Sequence, residues 1–304
     1  MLKGDTMLNF RFHLPTDLRF GEGLLNDDTL YKVPYEKVLI VTTKNISSAR
    51  YGELETIQKK LRENGTEPYL YDQVTRPITS NTILDAARKA RSLGVDAILA
   101  HGGGKVIDAA KVIARMTREK DDYLSGWLTS QLAPPFEHEP LDVIAVPTTL
   151  TVVASLNHKV YIYDGSKSRY ERLKNPSFTP KMVWLDPTLF TTLSEESVRN
   201  TMSDVLIRAF DLLRQEVSPL HTDLSIQALR RIIRYGGEAA KTKDVQSLSM
   251  VAYAHVLVGS LYVKKPYFPL HILRDTVQGV HPELHYGRFL YFAGASYIEL
   301  QLDE

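Results

Sequence analysis

The segment His101-Gly-Gly-Gly-Lys-Val-Ile-Asp-Ala-Ala-Lys111 gathers residue types that can hold a phosphate group. It follows a short apolar run, Asp96-Ala-Ile-Leu-Ala100, that reads as a buried strand, and it leads into a helical pattern over 106–117. Gly102, Gly103 and Gly104 let the backbone approach a ligand closely. The free N–H groups and positive dipole end of the following helix point at the same spot, an arrangement that suits a pyrophosphate. Lys105 adds a positive charge, and Asp108 falls in the first helical turn, where a carboxylate is favoured. A plain strand-to-helix turn would also use glycine; the position directly after a strand favours binding.

The elements that must carry this turn can be read from hydrophobic periodicity. Strands are expected at Lys37-Val-Leu-Ile-Val-Thr42, Glu67-Pro-Tyr-Leu-Tyr71, 96–100 and Asp142-Val-Ile-Ala-Val146, with helices over 51–64, 82–93 and 106–117 between them. This alternation predicts an α/β domain with an open, mainly parallel, Rossmann-like sheet covered by helices on both faces. Lys159-Val-Tyr-Ile-Tyr163 reads as a strand entering a turn at Asp164-Gly165, and Met182-Val-Trp-Leu185 leads into Asp186-Pro187. Beyond that, helical patterns over 195–216, 221–235, 245–263 and 270–280 predict an all-α C-terminal domain. Ser194, followed by Glu195 and Glu196, marks the first helix start. The expected division is 1–190 for the nucleotide-binding domain and 191–304 for the helical one.

Three ordered motifs carry a resemblance to a known family. G-G-G-[SK]-x-x-D-x-A-K at 102–111, Pro147-Thr-Thr149 after a strand, and Asn175-Pro-Ser-Phe-Thr-Pro-Lys-Met-Val-Trp-Leu-Asp-Pro187 resemble segments of the iron-containing (group III) alcohol dehydrogenases and their glycerol dehydrogenase relatives. The match runs from about residue 8 to 290. It implies the two-domain architecture shared with the dehydroquinate synthases, and a nicotinamide dinucleotide on Gly102, Gly103, Gly104, Lys105, Thr148 and Thr149. NAD-preferring members tend to carry an acid after the first strand, where it binds the ribose and repels a 2′-phosphate. This chain has Thr42-Thr43-Lys44 there, so NADP is expected to be accepted or preferred, with Thr43 and Lys44 near the phosphate, unless Lys44 is a solvated loop charge. Where the family has a glycine-rich G-T-G-S-E, this chain has Leu150-Thr-Val-Val-Ala-Ser155, and the bulky Val152 and Val153 are expected to narrow the nicotinamide side of the cleft.

The resemblance also implies a divalent metal, Fe or Zn, on one Asp and two or three His. Asp204 matches the Asp, and His271 and His285, 67 and 81 residues later, match two of the His. The D-x-x-x-H of the family is altered: Arg208 stands one turn after Asp204. A guanidinium stays protonated, cannot ligate and repels a dication. Asp275 stands where another family His lies, close to the reacting substrate. An Arg208–Asp275 or Arg208–Asp204 ion pair filling the metal cavity is therefore favoured slightly over a retained metal, with Arg208 and Asp275 as the residues nearest the chemistry and an anionic substrate docking on Arg208. His281 and His285 read otherwise as surface histidines. After His285 the family continues with several more helices, whereas this sequence ends at Glu304, so a shortened helical domain is expected, with apolar surface that a homodimer would cover.

Bulk properties exclude several classes. Lys and Arg number 37 against 36 Asp and Glu, so no electrostatic case arises for nucleic acid or an acidic membrane. With no cysteine, disulfides, thiolate metal sites and cysteine nucleophiles are excluded. No apolar run reaches the roughly 18 residues a span needs, and the N-terminus has no continuous apolar stretch, so a cytoplasmic protein is expected. The leading expectation is an NAD(P)-dependent oxidoreductase acting on a small alcohol, aldehyde or polyol. A nucleotide-binding protein of the same fold without redox activity is the alternative, and a lyase or cyclase like the dehydroquinate synthases ranks third.

Overall fold

A computed structural model of the chain describes residues 10, 12–44, 48–75, 77–120, 123–130, 138–215, 218–261, 268–281, 284 and 286–302. Six strands form one parallel sheet: β1 (Asp17–Phe20), β2 (Lys37–Thr43), β3 (Glu67–Val74), β4 (Ala97–Gly102), β5 (Asp142–Pro147) and β8 (Met182–Leu185), in the order β1-β8-β5-β4-β2-β3. Two further strands, β6 (Lys159–Asp164) and β7 (Arg169–Lys174), pair antiparallel as a separate hairpin. The helices are α1 (Ser48–Glu63), α2 (Ser80–Leu93), α3 (Gly104–Met116), α4 (Tyr123–Ser130), α5 (Glu195–Arg214), α6 (Pro219–Thr242), α7 (Val245–Gly259), α8 (Pro269–Val280) and α9 (Tyr286–Leu302). The fold is thus an α/β sheet layer followed by an all-α C-terminal region, as expected.

The central strands are apolar without alternation because helices cover both faces of the sheet. β4 is buried throughout, and β2 carries five consecutive buried residues. After β3 the chain crosses back over β2 to place β4 on its other side. A crevice opens at such a switch point, beyond the carboxyl ends of β2 and β4. The glycine turn and Thr43 both lie there.

Four elements go beyond the sequence reading. β1 is a short, mostly exposed edge, and β7 alternates charged with buried residues, so neither has an apolar run. α4 is short, and α9 is rich in glycine and aromatics, which blur its helical period. α6 runs past its expected end through Gly236, where a Cβ would come within 2.8 Å of Met202 Sδ on α5. Among the described residues no helix is long and apolar enough to cross a membrane.

Candidate active site

One cavity of about 1140 Å³ joins the glycine turn to the helical region. At one end lie Gly103, Gly104 and Lys105, and at the other Asp204, Arg208 and His271. Each glycine of the turn has its own reason. A Cβ on Gly102 would fall 2.6 Å from Val106 Cβ, because the first turn of α3 folds back onto the strand end. Gly103 caps α3, and a Cβ there would come within 3.0 Å of Thr149 Oγ1. Gly104 N–H donates to Thr151 Oγ1 at 2.9 Å, and a Cβ on Gly104 would meet that oxygen at 3.2 Å. Gly103 and Gly104 line the cavity at the positive end of a 13-residue helix, with Thr149 and Thr151 packed closely beside them. Thr149 lines the cavity, whereas Thr148 is buried behind the turn and ties it to β5, donating from N–H to the Gly102 carbonyl at 3.0 Å.

α3 also anchors the far wall. Lys111 is fully buried, and its ammonium donates to the carbonyls of Ala154 (2.5 Å), Asn157 (3.0 Å) and Lys159 (3.2 Å). Burial pushes this ammonium down to about 8, while Asp108, 3.7 Å away, works against that shift. Asp108 accepts from Tyr161 N–H at 3.3 Å, and burial raises its carboxyl despite the charges of Lys111 and Lys105. These two side chains hold the β6–β7 hairpin against α3, so Asp108 positions the wall. Lys105 lies 4.1 Å from the centre of the Tyr170 ring on that hairpin.

The opposite end is built around Asp204 on α5. Its Oδ1 accepts from His271 Nε2 at 3.0 Å, Arg208 Nη2 at 3.1 Å and Arg274 Nη1 at 3.3 Å. Burial acts to raise this carboxyl, but Arg208, the His271 hydrogen bond and Arg274 outweigh it and hold it well below the usual carboxylate range. Burial and the charge of Arg208 push His271 down to about 3, so its ring is neutral. A neutral ring facing a carboxylate must carry its proton on Nε2, which leaves Nδ1 bare and buried without a partner. Arg274 also donates from Nε to Asp275 at 2.9 Å. Of the two ion pairs anticipated for Arg208, the one with Asp204 is therefore present, and Asp275 is taken by Arg274 instead.

These residues do not fit a divalent metal. The one carboxylate a metal would need already serves two guanidinium groups, which would repel a dication at the same oxygen. Among the described residues no group of three or more carboxylate and imidazole ligands could hold a metal ion. His285, the third ligand named from the resemblance, lies outside the described residues.

Thr43 and Lys44 are exposed at the end of β2, and the Thr43 hydroxyl donates to the Val74 carbonyl at 3.1 Å. The expected narrowing by two valines is halved. Val152 turns into the core and only Val153 lines the cavity, because residues 152–156 form a 3-10 turn that sends neighbouring side chains about 120° apart. Sequence reasoning missed Arg274, Lys159, Tyr161, Arg172 and Thr151. The available signal was the alternation Lys159-x-Tyr161 and Arg172-x-Lys174, which puts each pair on one face of a strand.

A sequence model of the family described as iron-containing alcohol dehydrogenase matches residues 15–187. Among curated proteins, the chain is 22% identical over 289 residues to a choline dehydrogenase of Bacillus subtilis, covering 93% of this chain and 71% of that protein. It is 24% identical over 258 residues to an NADPH-dependent butanol dehydrogenase of Clostridium saccharobutylicum, covering 82% of this chain and 66% of that one. Among solved structures, an archaeal halo-thermophilic alcohol dehydrogenase from a Red Sea brine pool superposes with a TM-score of 0.83 at 22% identity, over 94% of this chain and 73% of that one. The chain thus spans 66–73% of the length of these three proteins.

Proposed function

The chain belongs to the iron-containing alcohol dehydrogenase family, and from that premise we propose that it is an NAD(P)-dependent oxidoreductase acting on a small alcohol or aldehyde without a catalytic metal. The observation that carries the reading is the continuous cavity from the glycine turn to Asp204, Arg208 and His271. A dinucleotide fits its first end, because the glycine turn at Gly103 and Gly104 and the N-terminus of α3, with the Thr151 hydroxyl on the Gly104 N–H, favour a pyrophosphate. Lys105 and Thr149 flank the same spot, Gly102 and Thr148 shape it, and Asp108 acts from behind. Thr43 and Lys44 lie at the adenosine side, where a neutral and a basic residue tolerate a 2′-phosphate. A bound nicotinamide supplies or accepts the hydride.

The residues of the chain bind and polarise. Arg208 is held by Asp204, lines the cavity and directs positive charge into it. It replaces a Lewis acid as the group that offsets negative charge on the substrate oxygen. Asp204 and His271 orient Arg208 and are not ligands; Asp275 acts through Arg274. A cytoplasmic homodimer belongs to the same proposal, supported by exposed apolar residues such as Leu273 and Phe292 on α8 and α9, with sedimentation mass as its check.

Calorimetric titration of metal-stripped protein with NADPH and NADH, with and without Zn²⁺ or Fe²⁺, tests this reading. Binding of NADPH at least as tight as NADH, indifferent to metal and accompanied by aldehyde reduction, supports it. Binding or turnover that requires metal rejects the metal-free reading, and failure to bind either cofactor rejects the enzyme.

A further inference from the structure

The basic and acidic residues of the whole chain nearly cancel, but those of the cavity do not. Among the described residues, six lysines and arginines line it against three aspartates. Asp204 and Asp275 are engaged by Arg208 and Arg274, and Asp108 is turned to Lys111 and the Tyr161 amide. Apart from Lys105 on α3, the excess of positive charge comes from the β6–β7 hairpin. Its register sets Lys159 opposite Lys174 and Tyr161 opposite Arg172, so these four side chains share one face, and that face lines the cavity. The alternate positions Val160, Ile162 and Leu173 are buried on the other side, with Glu171 among them. Glu171, the one acid of β7, is bonded there to Lys167 and Arg169, and so does not neutralise the cationic face.

Among the described residues, neither the Lys159 ammonium nor the Arg172 guanidinium has a hydrogen-bond acceptor or an acid. Burial pushes Lys159 down to about 8, and the charges of Arg208, Arg172 and Lys174 push in the same direction. Cations gathered without an acid cost free energy that an anion would recover, and a planar guanidinium beside an ammonium matches an oxyanion in shape as well as charge. Lys159, Arg172 and Arg208 line the same cavity, and the charge of Arg208 acts on Lys159, so the cluster reaches from the hairpin beside Lys105 toward the Asp204 end.

We propose that Lys159 and Arg172, facing Arg208, form a subsite for an oxyanion group (carboxylate, sulfonate or phosphate) carried by the substrate, so that the protein turns over an anionic aldehyde or alcohol in preference to a plain alkanol. This rests on the oxidoreductase reading above. Arg208 lies between the anionic tail and the reacting oxygen, and the hairpin face sets the distance between them.

The test compares 4-oxobutanoate with butanal as substrates for the NADPH-loaded protein, in the natural chain, Arg172→Gln and Lys159→Met. Both positions line open space, and Arg172 is exposed, so these variants keep the fold. The natural chain is expected to favour 4-oxobutanoate in kcat/KM by about tenfold or more, as a charge-assisted contact implies, and each variant to lose most of that ratio through KM. Butanal turned over as well as 4-oxobutanoate overturns the subsite while leaving the oxidoreductase reading intact. If neither aldehyde is turned over, calorimetry with butanedioate decides: binding weakened about tenfold by Arg172→Gln keeps the subsite and rejects the oxidoreductase, and no binding rejects the subsite. Inorganic phosphate bound on these residues without any preference for 4-oxobutanoate means a free-anion site and overturns the substrate class. Equal weakening of NADPH binding by Arg172→Gln assigns the cluster to cofactor phosphates and overturns the proposal.

Discussion

Replacing Asp204 with asparagine keeps its shape and removes its charge. Three donors meet Asp204 Oδ1, and two of them are guanidinium groups. Arg274 retains Asp275, but Arg208, among the described residues, keeps the Phe268 ring 5.2 Å from its guanidinium carbon and the more distant charge of Asp211, and has a buried Nε without an acceptor. Stranding a buried charge costs about 3–5 kcal/mol, and the low end applies because the Arg208 side chain is 20% exposed. A loss of about 3 kcal/mol lowers the melting midpoint by roughly 5 °C in a protein of 304 residues. Urea unfolding at neutral pH measures it without screening the pair, and the double variant Asp204→Asn, Arg208→Met closes a thermodynamic cycle. The double variant is expected to be no less stable than Asp204→Asn alone, with a coupling of at least about 2 kcal/mol. The folded-state carboxyl lies below its unfolded value, so its contribution is present above about pH 4 and is lost as the pH falls through the folded value. The gap between the natural chain and Asp204→Asn therefore closes in acid. Single-variant costs that add within about 0.5 kcal/mol would refute the account, since Arg208 would then owe nothing to Asp204.

Three further outcomes follow from the same geometry. Arg208→His with Arg274→Gln removes both repelling charges and restores the D-x-x-x-H spacing at Asp204, so elemental analysis should find more Zn or Fe in the double variant than in the natural chain; equal metal in both rejects the repulsion argument. Gly287→Ala drives a methyl to 2.7 Å from the Asn200 carbonyl carbon, where α9 crosses α5, and should cost about 3 kcal/mol in urea unfolding. Burial raises the Asp211 carboxyl to about 6, despite its hydrogen bond from Tyr297 at 2.6 Å. With the folded value above the unfolded one, its contribution is present below about pH 4 and lost as pH rises through about 6, so Asp211→Asn should gain about 1–3 kcal/mol at pH 7.5 and nothing at pH 4.

The glycine turn was legible because strand, turn and helix are adjacent in sequence, although only Gly102 answers to a near neighbour, Val106, and Gly103 and Gly104 answer to Thr149 and Thr151 on the far side of β5. The cationic wall was not, since what aims it is remote. Lys111 reaches carbonyls 43–48 residues later, and Asp108 reaches an amide 53 residues later. Lys159 and Arg172 look like ordinary solvated charges until those contacts turn their face inward. The helical end was legible in its residue types and in one of the two pairings they offered. Arg208 does pair with Asp204, but not with Asp275, because Arg274 follows His271 by one helical turn and lies between both acids. Asp204 and Asp275 then balance Arg208 and Arg274, two charges against two, and this end of the cavity needs no dication for neutrality. Apart from Lys105 at the glycine turn, the charge left over belongs to the hairpin, so an anionic substrate must answer to Lys159 and Arg172 and not to the residues that replaced the metal ligands.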